Sequence, residues 1–117
     1  MVQENRLRIA IPSKDGKGLD DEVSDVFGRS PSFTIVDVEN GSVVEVNVIK
    51  NPAASFKHGA GPIVVKMLME KRVDVAVSKE FGIGISVLLD QNKIKMIEVK
   101  GEISVRDAVE KALKILK

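Results

Sequence analysis

A short glycine-rich turn stands directly before the first helical pattern of the sequence. It consists of His58, Gly59, Ala60 and Gly61. Glycine lets the backbone approach a ligand closely, and the free N–H groups of a helix's first turn carry about half a positive charge. The turn therefore predicts main-chain donors for an anion. The alternative is that the two glycines serve only chain geometry and helix capping, because Gly-x-Gly is a short motif.

Two further segments are expected to meet this turn at one edge of a sheet. The first predicted strand is followed by Ser13 and Lys14, and the fourth by Lys79 and Gly82. In an open α/β sheet, ligands bind outside the carboxyl ends of neighbouring strands whose connections leave in opposite directions. Lys79 could contact an anion there, and so could Arg29 from the loop between the first and second predicted strands. The alternative is that both cations are simply solvated.

Histidine occurs once, as His58, and cysteine is absent. Disulfides, thiolate zinc sites, a cysteine nucleophile and clusters held by four cysteines are thereby excluded. A single imidazole does not hold a free metal ion tightly, but it can add one coordinate bond to a preassembled cluster held by backbone donors. His58 is therefore the candidate metal ligand. A proton donor, or a hydrogen bond within its own loop, is the alternative.

Several other groups of residues have a structural and a functional interpretation. Phe27, Phe56 and Phe81 lie in three loops near the predicted crevice, where they either exclude water from a ligand or finish the core. Met67 and Met69 are expected to fill the core rather than bind a metal. A final group consists of Asp20, Asp21, Glu22 and Asp25. These acids suggest a magnesium or acid/base site, against a solvated cluster or the start of a short helix.

The elements that position these residues follow from periodicity and turn chemistry. Strands are predicted over 7–12, 32–38, 43–49, 73–78 and 94–99, and helices over 62–72, 82–90 and from the capping residue Ser104 to Leu116. Asn40-Gly41 between two β-branched runs predicts a hairpin. Right-handed crossovers then give an α/β fold with a mixed five-stranded sheet in the order 3-2-1-4-5 and helices on both faces.

Length and composition set the protein class. A chain of 117 residues favours one domain over 1–117, and 44% hydrophobic with 30% charged residues is typical of a globular protein. The formal charge of +1 gives no reason to expect nucleic acid or an anionic membrane as a partner. With neither a secretory signal pattern nor an apolar run of membrane-spanning length, we expect a cytoplasmic protein.

The segment from Val23 to Phe33 resembles the acidic loop of a known family, which ends in a His-Phe-Gly-Arg-x-x-x-Phe pattern. The His58 turn before a helix and the later run from Val73 to Val77 resemble the second half of the same domain. The family is the dinitrogenase iron-molybdenum cofactor biosynthesis family, of the NifX and NifB C-terminal type. The chain departs from it at Val26, where the family has histidine, and at the helix start Gly82–Ile85.

The resemblance implies a three-layer, ribonuclease H-like fold without nuclease activity. It also implies a non-enzymatic protein that carries an anionic iron-sulfur or molybdenum-iron-sulfur cluster, non-covalently held, between a donor and an acceptor protein. The family's histidine carries over to His58. The residues expected to surround the cluster are Ser13, Lys14, Phe27, Gly28, Arg29, Gly59, Ala60, Gly61, Lys79 and Gly82.

The sequence is also compatible with two other functions. An interaction module without a cofactor would use an exposed sheet edge or helix to pair with itself or with another protein. A metal-dependent phosphate hydrolase would use the acids between Asp20 and Asp25.

Overall fold

A computed structural model of the chain describes residues 6–116. The strands are β1 (Arg6–Ser13), β2 (Ser32–Glu39), β3 (Ser42–Lys50), β4 (Val75–Ser78) and β5 (Lys95–Glu98). The helices are α1 (Ala60–Glu70), α2 (Ile83–Gln91) and α3 (Val105–Ile115), with a 3-10 turn over Gly18–Asp20. Within these residues, no helix combines the length and the hydropathy needed to cross a membrane.

The predicted sheet is confirmed. Its order is β3-β2-β1-β4-β5, antiparallel on the hairpin side and parallel where β1 meets β4 and β4 meets β5. The turn between β2 and β3 has positive φ at both Asn40 (52°) and Gly41 (84°), as a two-residue hairpin with the sheet's twist requires. The arrangement is a three-layer, ribonuclease H-like α/β fold.

Each face of the sheet is covered by its own helices. Ile9 and Ile11 of β1 pack in the cluster that contains α3, whereas Ala10 between them packs in the cluster that contains α1. Successive strand residues point to opposite faces, so this alternation fixes which helix lies on which side. The carboxyl ends of β1 and β4 consequently emerge side by side, between the two helical layers.

The structure moves several predicted boundaries by one or two residues. Helix α1 begins at Ala60 rather than Pro62, because a proline without an N–H is accepted anywhere in the first turn, where the donors have no partner. Strand β4 begins at Val75 rather than 73, because the N–H of Val73 still caps α1 by donating to Leu68 O. Strand β5 loses one residue at each end.

Helix α1 is less buried than predicted. Val64, Val65 and Leu68 are buried, but Ile63 and Met69 are 39% and 46% exposed. One face of α1 packs on the sheet, and the opposite face is left to solvent. Met69 is therefore surface-exposed and does not fill the core.

The loop between β1 and β2 is held in place by hydrogen bonds to the start of α3. The N–H of Val23 donates to Ile103 O, and the N–H of Val105 donates to Asp21 O, which joins the loop to the start of α3. Asp21 is 2% exposed and does not belong to a solvated acidic cluster. Its carboxylate accepts the N–H groups of Asp15, Lys17 and Glu22 at 2.8, 3.2 and 2.8 Å.

Burial acts to raise the pKa of the Asp21 carboxyl, but these main-chain donors outweigh it and hold the pKa below its ordinary value. A carboxyl with a depressed folded-state pKa stabilises the fold above its unfolded pKa of 3.8. This contribution is lost as the pH falls through the folded-state pKa. Asp21 is thus a structural anion rather than a catalytic acid.

We predict that Asp21→Asn lowers the free energy of unfolding at pH 7 by about 1–3 kcal/mol, because buried N–H donors lose a charged acceptor. The difference from wild type should begin to shrink as the pH falls below the unfolded pKa of 3.8 and should vanish as the pH passes through the lower folded-state pKa, where the native carboxylate takes up its proton. Urea unfolding followed by circular dichroism at both pH values measures this. Asp20→Asn, at an exposed neighbour, serves as the control and should change little; equal effects of the two substitutions would contradict the assignment.

Candidate anion-binding site

Three segments come together at one edge of the sheet: the loop that carries Gly28, the first turn of α1 and the first turn of α2. A Cβ added to Gly28 would lie 3.8 Å from both Ala60 Cβ and Gly61 N, and 3.1 Å from Ile85 Cδ1. A Cβ added to Gly61 would lie 2.9 Å from Ile85 Cγ1. The loop that carries Gly28 and the first turns of α1 and α2 therefore meet around the Ile85 side chain.

Both helix starts at this contact lack a side-chain cap. Gly59 and Gly82 occupy the N-cap positions of α1 and α2, each with φ of 76° and neither with a capping side chain. Helix α3 of the same chain is capped conventionally, since the Ser104 side chain accepts from Asp107 N at 3.0 Å. Two uncapped helix starts thus converge, each with a partial positive charge.

The main-chain donors of the turn are available. Among residues 6–116 no acceptor outside α1 is recorded for the N–H groups of Gly59, Ala60 and Gly61, and the first N–H groups of a helix have no acceptor within it. His58 and Gly59 are exposed, whereas Ala60 is buried and Gly61 half-buried, so the turn is open to solvent on its His58–Gly59 side. Since an anion needs only convergent donors, this surface can bind one without a large positive net charge.

His58 and Arg29 flank these donors. Both side chains are exposed, and for neither is an ion pair or side-chain hydrogen bond recorded in the described part of the chain. Arg29 follows Gly28 directly, and His58 precedes Gly59 directly. An imidazole and a guanidinium are therefore attached to the two sides of the contact between Gly28 and Gly61.

The two lysines at the strand ends are already paired. Lys79 Nζ donates to Asp25 Oδ1 at 2.8 Å, which holds the pKa of the Asp25 carboxyl below its ordinary value. Lys14 Nζ lies 3.2 Å from Glu22 Oε1, and this hydrogen bond raises the pKa of the Lys14 ammonium. Lys14 and Lys79 therefore connect the loop between β1 and β2 to the strand ends. Their ammonium groups are already paired with carboxylates.

Ser13 has a structural role in a buried network of hydroxyl groups. It is fully buried, with its Oγ 2.8 Å from Ser32 Oγ and accepting from Thr34 Oγ1 at 2.9 Å, while Ser30 Oγ donates to Ser13 O. Every hydroxyl in this group has a partner. The network fixes the end of the Gly28 loop against β1, so Ser13 positions the site from beneath it and its hydroxyl does not line the surface.

Two of the three candidate phenylalanines belong to the core. Phe27 is 3% exposed, with its ring centroid 5.2 Å from each of Phe33 and Phe81, and Phe81 is 5% exposed. These rings join the loop to the sheet and to the segment before α2. Phe56, in the loop that leads to His58, is 39% exposed and is the ring of the three that solvent or a ligand reaches.

Asn51 was not identified from the sequence, yet it connects the two halves of the site. Its Nδ2 donates to Gly28 O and Ser30 O, both at 2.9 Å, and its Oδ1 accepts from Ala53 N. Asn51 thereby joins the Gly28 loop to the segment that continues to His58. The Asn-Pro pair at this position was the available signal, because asparagine commonly bonds backbone two residues onward.

The acids proposed for a hydrolase are separated by their partners. Asp20 accepts from Arg106 Nη2 at 2.8 Å, Asp21 is enclosed by main-chain donors, and Asp25 binds Lys79. In the part of the chain described, no group of three or more histidine, cysteine, aspartate or glutamate side chains is arranged to hold a metal ion. The arrangement does not favour two-carboxylate chemistry.

A protein-family model matches nearly the whole chain. The model of the dinitrogenase iron-molybdenum cofactor family matches residues 5–115. The chain belongs to this family. The match includes both the Gly28 loop and the His58 turn.

Two solved structures are similar in fold to this dinitrogenase cofactor family member, and a further protein is similar in sequence. A Thermotoga protein, TM1290, assigned to NifB and the DUF35 family, is 33% identical with a TM-score of 0.76, over 92% of this chain and 88% of that one. The apo form of the orange protein from Desulfovibrio gigas is 29% identical with a TM-score of 0.79, over 92% and 87%. The uncharacterized protein MJ0580 of Methanocaldococcus jannaschii is 28% identical over 76 residues, 65% of this chain. The match spans about 60% of the length of that relative.

We predict opposite effects of alanine at two helical glycines. Gly61→Ala should lower the free energy of unfolding by about 1–2 kcal/mol, because the new methyl group collides with Ile85. Gly84→Ala should raise it by about 0.5–1 kcal/mol, because nothing lies within 4 Å of the added Cβ. Thermal and urea unfolding measure both. In an Ile85→Ala background the cost of Gly61→Ala should largely disappear; an unchanged cost would contradict the contact.

We predict that Asn51→Ala lowers the free energy of unfolding by about 2–3 kcal/mol, because two buried carbonyls and one N–H lose their partner. Asn47→Ala, at an exposed asparagine of β3, is the matched control and should cost well under half as much. Amide hydrogen exchange in Asn51→Ala should increase between residues 24 and 31. An unchanged exchange pattern there would show that Asn51 does not hold the loop.

Proposed function

We propose that this protein is a non-enzymatic accessory protein that carries an anionic metal–sulfur cluster, or a precursor of one, of the iron-molybdenum cofactor type. Membership of the dinitrogenase cofactor family supports an accessory role related to that cofactor. The observation that supports cluster binding in particular is the uncapped start of α1. Its free N–H donors lie between His58 and the Gly28–Arg29 segment.

The donor set fits carriage better than permanent binding. The chain has no thiol and one imidazole, so the protein supplies at most one imidazole ligand to a preassembled cluster. Main-chain N–H groups donate hydrogen bonds to sulfide, and two helix starts contribute partial positive charge. Such a cluster is released without breaking several metal–protein bonds, as transfer between proteins requires.

Exposed apolar side chains near the site support a protein donor or acceptor. Phe56 is two residues before His58, and Ile83 in the first turn of α2 is 87% exposed. Val26, 42% exposed, stands where the family has histidine, so His58 acts without a second imidazole from that position. We place this exchange of clusters in the cytoplasm, with no nucleic acid or membrane involved.

The test is anaerobic reconstitution of the purified protein with iron, molybdate and sulfide, followed by desalting. Because tryptophan and tyrosine are absent, the apoprotein is nearly transparent near 280 nm and above, and bound cluster is seen directly. We predict that His58→Ala and Arg29→Glu each reduce the retained visible absorption and metal content at least several-fold. Lys111→Glu makes a charge change on the other face of the sheet and should have no effect.

Two results contradict the proposal. One is a wild-type protein that retains no coloured species under these conditions. The other is retention that His58→Ala and Arg29→Glu leave unchanged. Magnesium-dependent phosphate release that is abolished by Asp25→Ala would instead favour the hydrolase.

A further inference from the structure

Strand β3 is an exposed apolar edge of the sheet. It is nine residues long, and β2 is the strand that pairs with it among residues 6–116. Val44, Val48 and Val43 are 54%, 41% and 40% exposed. The opposite edge, β5, has four residues and begins and ends with the charged residues Lys95 and Glu98. Short charged edges resist pairing with another strand, whereas long β-branched ones favour it.

The rest of the fold covers β3 only in part: Ile49 packs against the cluster that contains α1, and the segment of Gly16 and Gly18 lies against Val48 and Val46. Seven of its nine residues are exposed, and only Val46 and Ile49 are half-buried. Beside β3, on the face of α1, an open cavity of about 420 Å³ is lined by Ile35, Asn47 and Ile49 among others. Exposed edge groups and exposed valines on one strand are the features that strand addition buries.

The sequence of β3 is complementary to itself when two copies run antiparallel. A twofold axis perpendicular to the sheet through Val46 places Val46 opposite Val46 of the second copy. Glu45 then faces Asn47, a polar pair that forms twice, and Val48 faces the Val43–Val44 segment. Apolar residues thus oppose apolar residues and polar residues oppose polar ones along the strand.

Shifting the axis by one residue loses this match. Centred on Glu45, the pairing sets two glutamates directly opposite each other, which is destabilising. Centred on Asn47, it sets Glu45 opposite Ile49 and Val44 opposite Lys50. The register through Val46 is therefore the favoured one of the three central registers.

A bulge in β3 is compatible with this pairing. The ladder with β2 passes from the pair Asp37–Glu45 to the pair Val38–Val43, so Val44 is the extra residue on β3. The bulge lies outside the central residues from Glu45 to Asn47. Val48 meets a valine of the second copy whether Val43 or Val44 takes the position opposite it.

We propose that β3 is a dimerisation edge, at which two copies of this chain pair antiparallel about Val46 to form a continuous ten-stranded sheet. The partner is a second copy because the match is isologous, with each half of the strand complementing the other half. The interface is separate from the anion-binding surface. The dimerisation proposal can therefore be tested independently of cluster binding.

The first experiment uses the natural absence of cysteine. At the twofold centre, Val46→Cys brings two Cα atoms to about 4.5–5.5 Å, within disulfide range. Mild oxidation should therefore give a covalent dimer in high yield. Ser42→Cys is the control, because two copies of position 42 would lie about eight residues, or about 27 Å, apart. Equal cross-linking of both variants would overturn the register.

The second experiment reverses a charge at one exposed site without cross-linking. In this register Asn47→Glu sets like charges opposite each other twice and should raise the dimer dissociation constant about tenfold or more. Asn47→Lys sets a lysine opposite Glu45 twice and should leave that constant unchanged or lower it. Sedimentation equilibrium over a concentration series measures both, and thermal unfolding confirms that each variant is folded.

Two outcomes reject the proposal. A wild-type protein that is monomeric at millimolar concentration has no dimerisation edge. Equal weakening by Asn47→Glu and Asn47→Lys rejects pairing about Val46, because a register centred on Asn47 opposes like charges in both variants. Addition of an extended peptide from another protein, without self-association, would likewise show that the occupant is not a second copy.

Discussion

The contact of Gly28 and Gly61 with Ile85 determines the geometry of the candidate site. No side chain separates the Gly28 loop from α1, so the loop and the first turns of both helices come within van der Waals distance. The parallel pairing of β1 with β4 makes this approach possible, because it sends both connections out at the same edge of the sheet. A methyl group at Gly61 would overlap the Ile85 side chain, which would have to move.

Within residues 6–116 the buried polar side chains have hydrogen-bond partners, whereas the main-chain donors at the start of α1 have none recorded. Ser13, Ser30, Ser32 and Thr34 bond to one another or to backbone, and Asn51 uses both ends of its amide. Buried polar groups without partners are costly, so these networks make the loop rigid. Of the residues that carry the donors, Gly59 is exposed, Gly61 is half-buried and Ala60 is buried, so water or a ligand reaches the donors from the Gly59 side. Rigid support beneath accessible donors is the arrangement that anion binding requires.

The sequence predicted the sheet well and the side chains of the site less well. Asn40-Gly41 and the alternation around Ile9–Ile11 are local signals, and local signals combined with crossover handedness determine the strand order. The pairing of Lys79 with Asp25 joins residues 54 positions apart. Sequence periodicity does not predict such a long-range contact. The sequence alone was equally compatible with a Lys79 that has no ion-pair partner. The burial of Ser13 and Phe27 likewise depends on how the loop folds back.

Pairing along β3 has a geometric consequence for the anion-binding surface. Ser13 pairs with Ser32, and Ser32 with Lys50, so the site lies at the Lys50 end of β3. Antiparallel pairing sets this end of one copy beside the Ser42 end of the other. The two sites of a dimer would therefore lie at opposite ends of the joined strands, each facing solvent. Edge pairing and ligand binding use different surfaces, so a dimer would hold two separate anion sites, and neither copy would cover the other's.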